Sequence, residues 1–164
     1  MSMGQGRDIR LADEAATARL GAAIGAVLRP GDAVCLSGPL GAGKSTLARA
    51  LIRSLTTPDE EVPSPTFTLV QFYAAVGAGG EGLSLAHFDL YRLASPDEAY
   101  EIGLDEALED GAVLIEWPER LQDALPPDRL DVVLTPESGG GDETRRARLT
   151  PHGGFVGRGI EFGS

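Results

Sequence analysis

At 164 residues and 42% hydrophobic content, the chain is long enough to bury the core of one domain and short for two. Its 25 acidic and 14 basic residues leave a net charge of −11, which repels phosphate backbones and argues against extended nucleic-acid binding. No stretch approaches the roughly 18 apolar residues of a membrane span, the N-terminus lacks an apolar core followed by a cleavage site, and the single Cys35 cannot close an internal disulfide, so a cytoplasmic protein without membrane contact is expected.

Asp8 to Leu11 reads as a short first strand and about Asp13 to Leu28 as a helix, with Leu20, Ile24, Val27 and Leu28 on one face. Arg29-Pro30-Gly31 stops it. "DAVCLSG" is then a buried strand, in which Cys35 is expected to pack rather than react, and it runs into a glycine-rich loop. A helix follows from Lys44 to Leu55, carrying Leu47, Leu51 and Leu55 on one face. After the polar, proline-punctuated "TTPDEEVPSP", the runs "TFTLVQFYAA" and "LSLAHFDLY" predict two strands joined by "VGAGGEG", a hairpin that makes the sheet mixed. Ser95-Pro96-Asp97-Glu98 opens a short helix, "AVLIEW" predicts another buried strand, and "RLDVVLTP" with "TRRARLTP" predicts a second hairpin. The expected organisation is a single domain over 1–164, with 1–7 and about 152–164 as loose ends. Arg145, Arg146 and Arg148 are the one tight basic cluster, and a solvated strand is the plainer account of them.

The stretch "LSGPLGAGKSTLARAL", Leu36 to Leu51, fits G-x-x-x-x-G-K-[ST] with Gly38, Gly43, Lys44 and Ser45 in the required places. In such a loop consecutive backbone N–H groups converge on phosphate oxygens, glycines permit the close approach, and the following helix offers its positive end. The lysine reaches the β- and γ-phosphates and the serine hydroxyl ligates Mg²⁺. Lys44 is the only lysine among the 14 basic residues, kept where a compact ammonium on a flexible stem is needed. A triphosphate site also needs acids. Asp89 in "LAHFDLYRL" and Glu116 in "VLIEWPERL" stand at the ends of apolar strands, where ligands of open α/β sheets bind. By pattern alone, either could instead be an exposed strand-end acid. His87 reads as a packed strand residue, since no second histidine or cysteine stands at metal spacing.

The segments "GPLGAGKST", "SPTFTLVQFY", "HFDLYRL" and "LIEWPERL", in this order and at these separations, make the chain resemble the bacterial TsaE (YjeE) family over about Asp8 to Leu134. The resemblance implies an α/β P-loop NTPase, three-layered, with a mixed central sheet of parallel core and antiparallel hairpins. It implies an ATPase, slow alone, that serves a TsaD–TsaB complex in threonylcarbamoyladenosine (t6A) modification of tRNA, with ATP and Mg²⁺ as cofactors. By the same resemblance, nucleotide would lie against Gly38, Gly41, Ala42, Gly43, Lys44, Ser45 and Thr46, with Ser64, Pro65 and Thr66 as a switch-like segment and Trp117 beside the site. Asp89 and Ser45 would hold magnesium, and Glu116, also near the metal, would orient the attacking water; Lys44, Asp89 and Glu116 are the expected catalytic set. One position departs from the family: Pro39 stands where its members commonly carry Asp.

Three other readings of the phosphate loop compete, one of them a degenerate, non-enzymatic nucleotide-binding scaffold that Pro39 leaves open. A small-molecule or nucleotide kinase would need an arginine-bearing lid, whereas the insertion-like loop Thr56–Val62 carries three acids and no arginine. A GTPase would need N-K-x-D, which a chain whose sole lysine is Lys44 cannot contain.

Overall fold

The computed structural model describes residues 6–39, 41–65, 68–77, 79–137, 141 and 143–162. In chain order the elements are β1 (Arg7–Leu11), α1 (Glu14–Gly25), β2 (Ala33–Ser37), α2 (Lys44–Leu55), β3 (Val70–Val76), β4 (Gly82–Asp89), α3 (Asp97–Glu101), α4 (Leu104–Asp110), β5 (Gly111–Glu116), β6 (Arg129–Pro136) and β7 (Arg145–His152), with 3-10 turns over Pro118–Ala124 and Gly153–Phe155.

Seven strands form one sheet in the order β1-β7-β6-β2-β5-β4-β3. The pairs β6–β2, β2–β5 and β5–β4 are parallel, and β1–β7, β7–β6 and β4–β3 are antiparallel, so a parallel core is flanked by antiparallel hairpins as the sequence predicts. Alternation along the central strands divides the apolar interior into two cores. Val34, Leu36, Ala112 and Leu114 face α1 and α2, whereas Ala33, Cys35, Val113 and Ile115 face α3 and α4. This double burial is why β2 and β5 read as continuous apolar runs instead of alternating ones.

Helix α1 begins where Asp13 accepts a hydrogen bond from the Ala16 amide at 2.8 Å, satisfying one of the orphan donors of the first turn. It packs on α2 at close range: a Cβ at Gly21 would press on the Leu47 carbonyl and the Leu51 amide. Helix α2 occupies the predicted span, burying Leu47, Ala48, Leu51, Ile52 and Leu55 against the sheet and fixing its N-terminus over the carboxyl end of β2.

The C-terminal segment departs from expectation. Residues 152–162 are packed rather than loose: Phe155 is buried, Ile160 and Phe162 rest against the α1–α2 core, and the Ile160 carbonyl accepts from Arg7 Nη1 at 2.9 Å. The glycines that make this stretch look like a tail carry tight turns, and the contacts that hold it reach back to Asp128, Asp32, Val27 and Arg7, out of reach of any local pattern.

Candidate nucleotide site

The loop between β2 and α2 leaves the sheet through Gly38, whose φ of +141° lies in glycine's territory and whose missing Cβ would otherwise run into the Leu134 carbonyl oxygen. The loop then closes on itself through a bond from the Ala42 amide to the Pro39 carbonyl at 3.2 Å, and Gly43 enters α2 at φ +99°. Exposed Pro39 can offer the loop a carbonyl but no amide hydrogen.

The side chains of the site come from four strand ends. Lys44 is the first residue of α2; its Nζ donates to the Gly38 carbonyl at 2.7 Å and stands 4.2 Å from the centre of the Trp117 ring. An ammonium only 6% exposed is thereby held by one carbonyl and one aromatic face. Asp89 ends β4 and Glu116 ends β5, and the parallel register makes them direct partners across the two strands. They are 6% and 7% exposed, so neither is the solvated strand-end acid that the pattern left open. Asp89 Oδ1 accepts from the Tyr91 amide at 3.0 Å. Glu116 Oε2 lies 2.7 Å from Nε2 of His87, itself 2% exposed.

Trp117 follows Glu116 in the left-handed region at φ 60°, ψ 50°, an uncommon conformation for a bulky residue. The turn lays its indole over Lys44 and brings it to 4.8 Å from the Tyr91 ring, tilted by 54°. These groups line a cleft of about 460 Å³ with Gly41, Gly43, Ser45, Thr46, Ser64 and Arg145. Most of the sequence-derived set therefore converges there: Gly41, Gly43, Lys44, Ser45, Thr46, Ser64, Asp89, Glu116 and Trp117. Gly38 and Ala42 stand behind the loop, the first as acceptor for Lys44 and the second fully buried; Thr66 lies outside the described residues.

Two residues join the site without having been singled out for it. Arg145, from the first position of β7, donates through Nη2 to the Gly41 carbonyl at 2.8 Å and so presses a cation against the phosphate loop. Its neighbours keep the plainer role, Arg146 pairing with Glu137 at 3.0 Å and Arg148 with Asp8 at 2.8 Å on the surface. The signal that separates Arg145 is topological: β7 pairs with β6 and β1, which carries its first residue to the phosphate-loop end of the sheet. His87 is the second, and its signal was the H-x-D spacing, which sets His87 and Asp89 on one face of β4.

No group of three or more His, Cys, Asp and Glu side chains stands at metal-binding spacing among the described residues. The cleft instead offers the hydroxyls of Ser45, Thr46 and Ser64 and the carboxylates of Asp89 and Glu116, with Ser45 in the first turn of α2. That set suits a hard cation which keeps most of its shell as water and phosphate oxygen, and it does not suit an all-protein cage.

A glycine loop joining a parallel strand to a helix, with a buried lysine at its end and two acids at neighbouring strand tips, defines the P-loop NTPase fold. The fold agrees with the crystal structure of Bacillus subtilis YdiB, matched with a TM-score of 0.68 at 28% identity over 93% of this chain and 89% of that one. The family model described as "Threonylcarbamoyl adenosine biosynthesis protein TsaE" matches residues 11–147, and the chain belongs to that family. Relatives named tRNA threonylcarbamoyladenosine biosynthesis protein TsaE include those of Nostoc, 40% identical over 92% of this chain and 90% of its own length, and of Rickettsia conorii, 40% identical over 76% and 68%. That of Streptomyces coelicolor is 38% identical over 80% and 87%. No helix among the described residues is long and apolar enough to cross a membrane.

Proposed function

We propose that the chain is an ATPase that supports t6A modification of tRNA by acting on a TsaD–TsaB-type protein complex in the cytoplasm. The observation that carries this reading is the convergence of Lys44, Ser45, Asp89 and Glu116 on one cleft at the mouth of the phosphate loop. Family membership supports the pathway, and the net charge of −11 favours a protein partner over direct contact with the tRNA backbone.

The β- and γ-phosphates of ATP would lie along the loop, where backbone amides and Lys44 meet them. Lys44 would exchange its contacts with the Gly38 carbonyl and the Trp117 ring for phosphate oxygens. Arg145, bonded to the Gly41 carbonyl and lining the same cleft, would add positive charge beside the loop. Ser45 and Asp89 would hold magnesium, which when bound neutralises charge developing on the transferred phosphoryl group. Glu116 would accept a hydrogen bond from the attacking water and set its line of approach. Ser64 and Thr66 would sense the γ-phosphate. No Asp stands at position 39, so orientation of the water falls to Glu116. Since phosphoryl transfer leaves the protein mainly positioning and electrostatics to supply, hydrolysis by the chain alone would be slow until a partner adds to the charge that Lys44 and Arg145 bring.

Glu116→Gln is the test. Binding of ATP, measured by calorimetry, is expected within about threefold of wild type because Glu116 acts on the water, while hydrolysis falls by at least about a hundredfold, as for loss of a general base. Unchanged hydrolysis would remove Glu116 from this role. Phosphate transfer to a small acceptor in place of water would replace the ATPase with a kinase.

A further inference from the structure

We propose that His87 is a positioning residue for Glu116: its Nε2–H holds Glu116 Oε2 from beneath the cleft and leaves Oε1 turned to the water. This rests on the reading of Glu116 given under Proposed function. Three observations carry it.

The first is geometric. His87 sits directly opposite Leu114 in the parallel β4–β5 register, so its ring must reach diagonally forward along the sheet to meet Glu116, and it does so at 2.7 Å. At that distance an ionised carboxylate cannot face a nitrogen lone pair, so Nε2 carries the proton and donates.

The second is the unmet nitrogen. Nδ1 of His87 is buried and has no hydrogen-bond partner among the described residues. Leu85 and Leu114 on that face are apolar, and although Gln71 of β3 stands opposite His87 and Asp89 follows it on the same face, neither bonds Nδ1. A side chain selected for packing alone would be aliphatic there, because an orphan polar atom in an apolar interior is unfavourable. Histidine is the costlier occupant, and the bond to Glu116 is what it supplies.

The third is the contrast between the two acids. Asp89 is fixed by its own backbone, through the Tyr91 amide at 3.0 Å. Glu116 has a longer side chain whose terminal torsion is broad, and among the described residues its side-chain hydrogen bond is the one to His87. Phosphoryl transfer depends on the angle at which the nucleophile is presented, so an unpinned carboxylate would present water over a range of directions.

The test compares His87→Leu, which keeps the bulk without the donor, with His87→Gln, whose amide nitrogen reaches about as far as Nε2. The full chain is assayed for ATP hydrolysis, alone and with TsaD–TsaB, and for ADP affinity and thermal midpoint. His87→Leu is expected to lower kcat by about tenfold or more with KM and ADP affinity within about twofold, and His87→Gln to recover most of the loss. Ring nitrogen NMR of the unliganded protein should find the proton on Nε2 and a resonance that moves in Glu116→Gln. An unchanged kcat in His87→Leu, equal losses in the Leu and Gln variants, or a proton on Nδ1 alone would each overturn the inference, and the NMR result decides it even where His87→Leu does not fold. The Glu116→Gln control separates the two claims: if it retains turnover, the reading of Glu116 fails; if it is inactive while His87→Leu is normal, only the positioning role fails.

Discussion

Lys44 and Trp117 form a contact that reports on the state of the site. The indole ring centre lies 4.2 Å from the ammonium and Trp117 is the only tryptophan in the chain, so tryptophan emission comes entirely from beside the phosphate loop. Moving the ammonium onto phosphate oxygens removes a cation from its face. ATP or ADP titration should therefore change tryptophan fluorescence in the wild-type protein and leave Lys44→Ala unresponsive, with its nucleotide affinity reduced at least about a hundredfold, as for loss of a charge-assisted contact inside a desolvated site. GTP that binds as tightly as ATP would contradict the assignment of nucleotide. At the same scale, burial and, to a smaller degree, the nearby Asp131 carboxylate push the Cys35 thiol up to about 12. It should ignore a disulfide reagent at pH 8 in the folded protein and react fully in denaturant. Between the ordinary thiol value of 9.0 and about 12 the folded chain holds a proton that the unfolded chain has released, so this residue's contribution to stability declines as pH rises through that window.

At the level of elements, the parts that position the site are those with local signals. The ends of α2 were legible because Gly43 and Lys44 mark its start and leucines repeat along its buried face. The two hairpins were legible from turn residues between apolar runs, and β2 and β5 from unbroken apolar stretches. What escaped is long-range. Arg145 reaches Gly41 across 104 positions of sequence, and Phe155, Ile160 and Phe162 join a core that includes α1 and α2, far upstream. His87 was legible as buried but not as a partner of Glu116, since a diagonal contact between parallel strands depends on register, which neither strand specifies alone. The helical layer under the phosphate loop offers its own tests. Asp13→Ala removes the cap of α1 and should cost about 1 kcal/mol, a fall of about 2–4 °C in thermal midpoint. Gly21→Val forces α1 away from the Leu47 carbonyl and should cost about 1–3 kcal/mol in a denaturant melt, with nucleotide affinity falling as the start of α2 shifts.

For the whole molecule, the sheet order places the carboxyl ends of β2, β5 and β4 side by side, and Asp89, Glu116 and the phosphate loop open on that one edge. A chain of net charge −11 repels the tRNA backbone and attracts a basic region of another protein. Raising ionic strength should accordingly weaken assembly with TsaD and TsaB more than it weakens the fold. The central claim is that this edge is an ATP-hydrolysing site whose output is spent on that protein complex, and the direct measurement is phosphate release from ATP by the chain with and without TsaD–TsaB. The account predicts slow release by the chain alone, a rise of about tenfold or more when the complex is added, and no rise with Glu116→Gln. A rate that stays the same on adding the complex, with no association between the proteins in the presence of ATP, would contradict it.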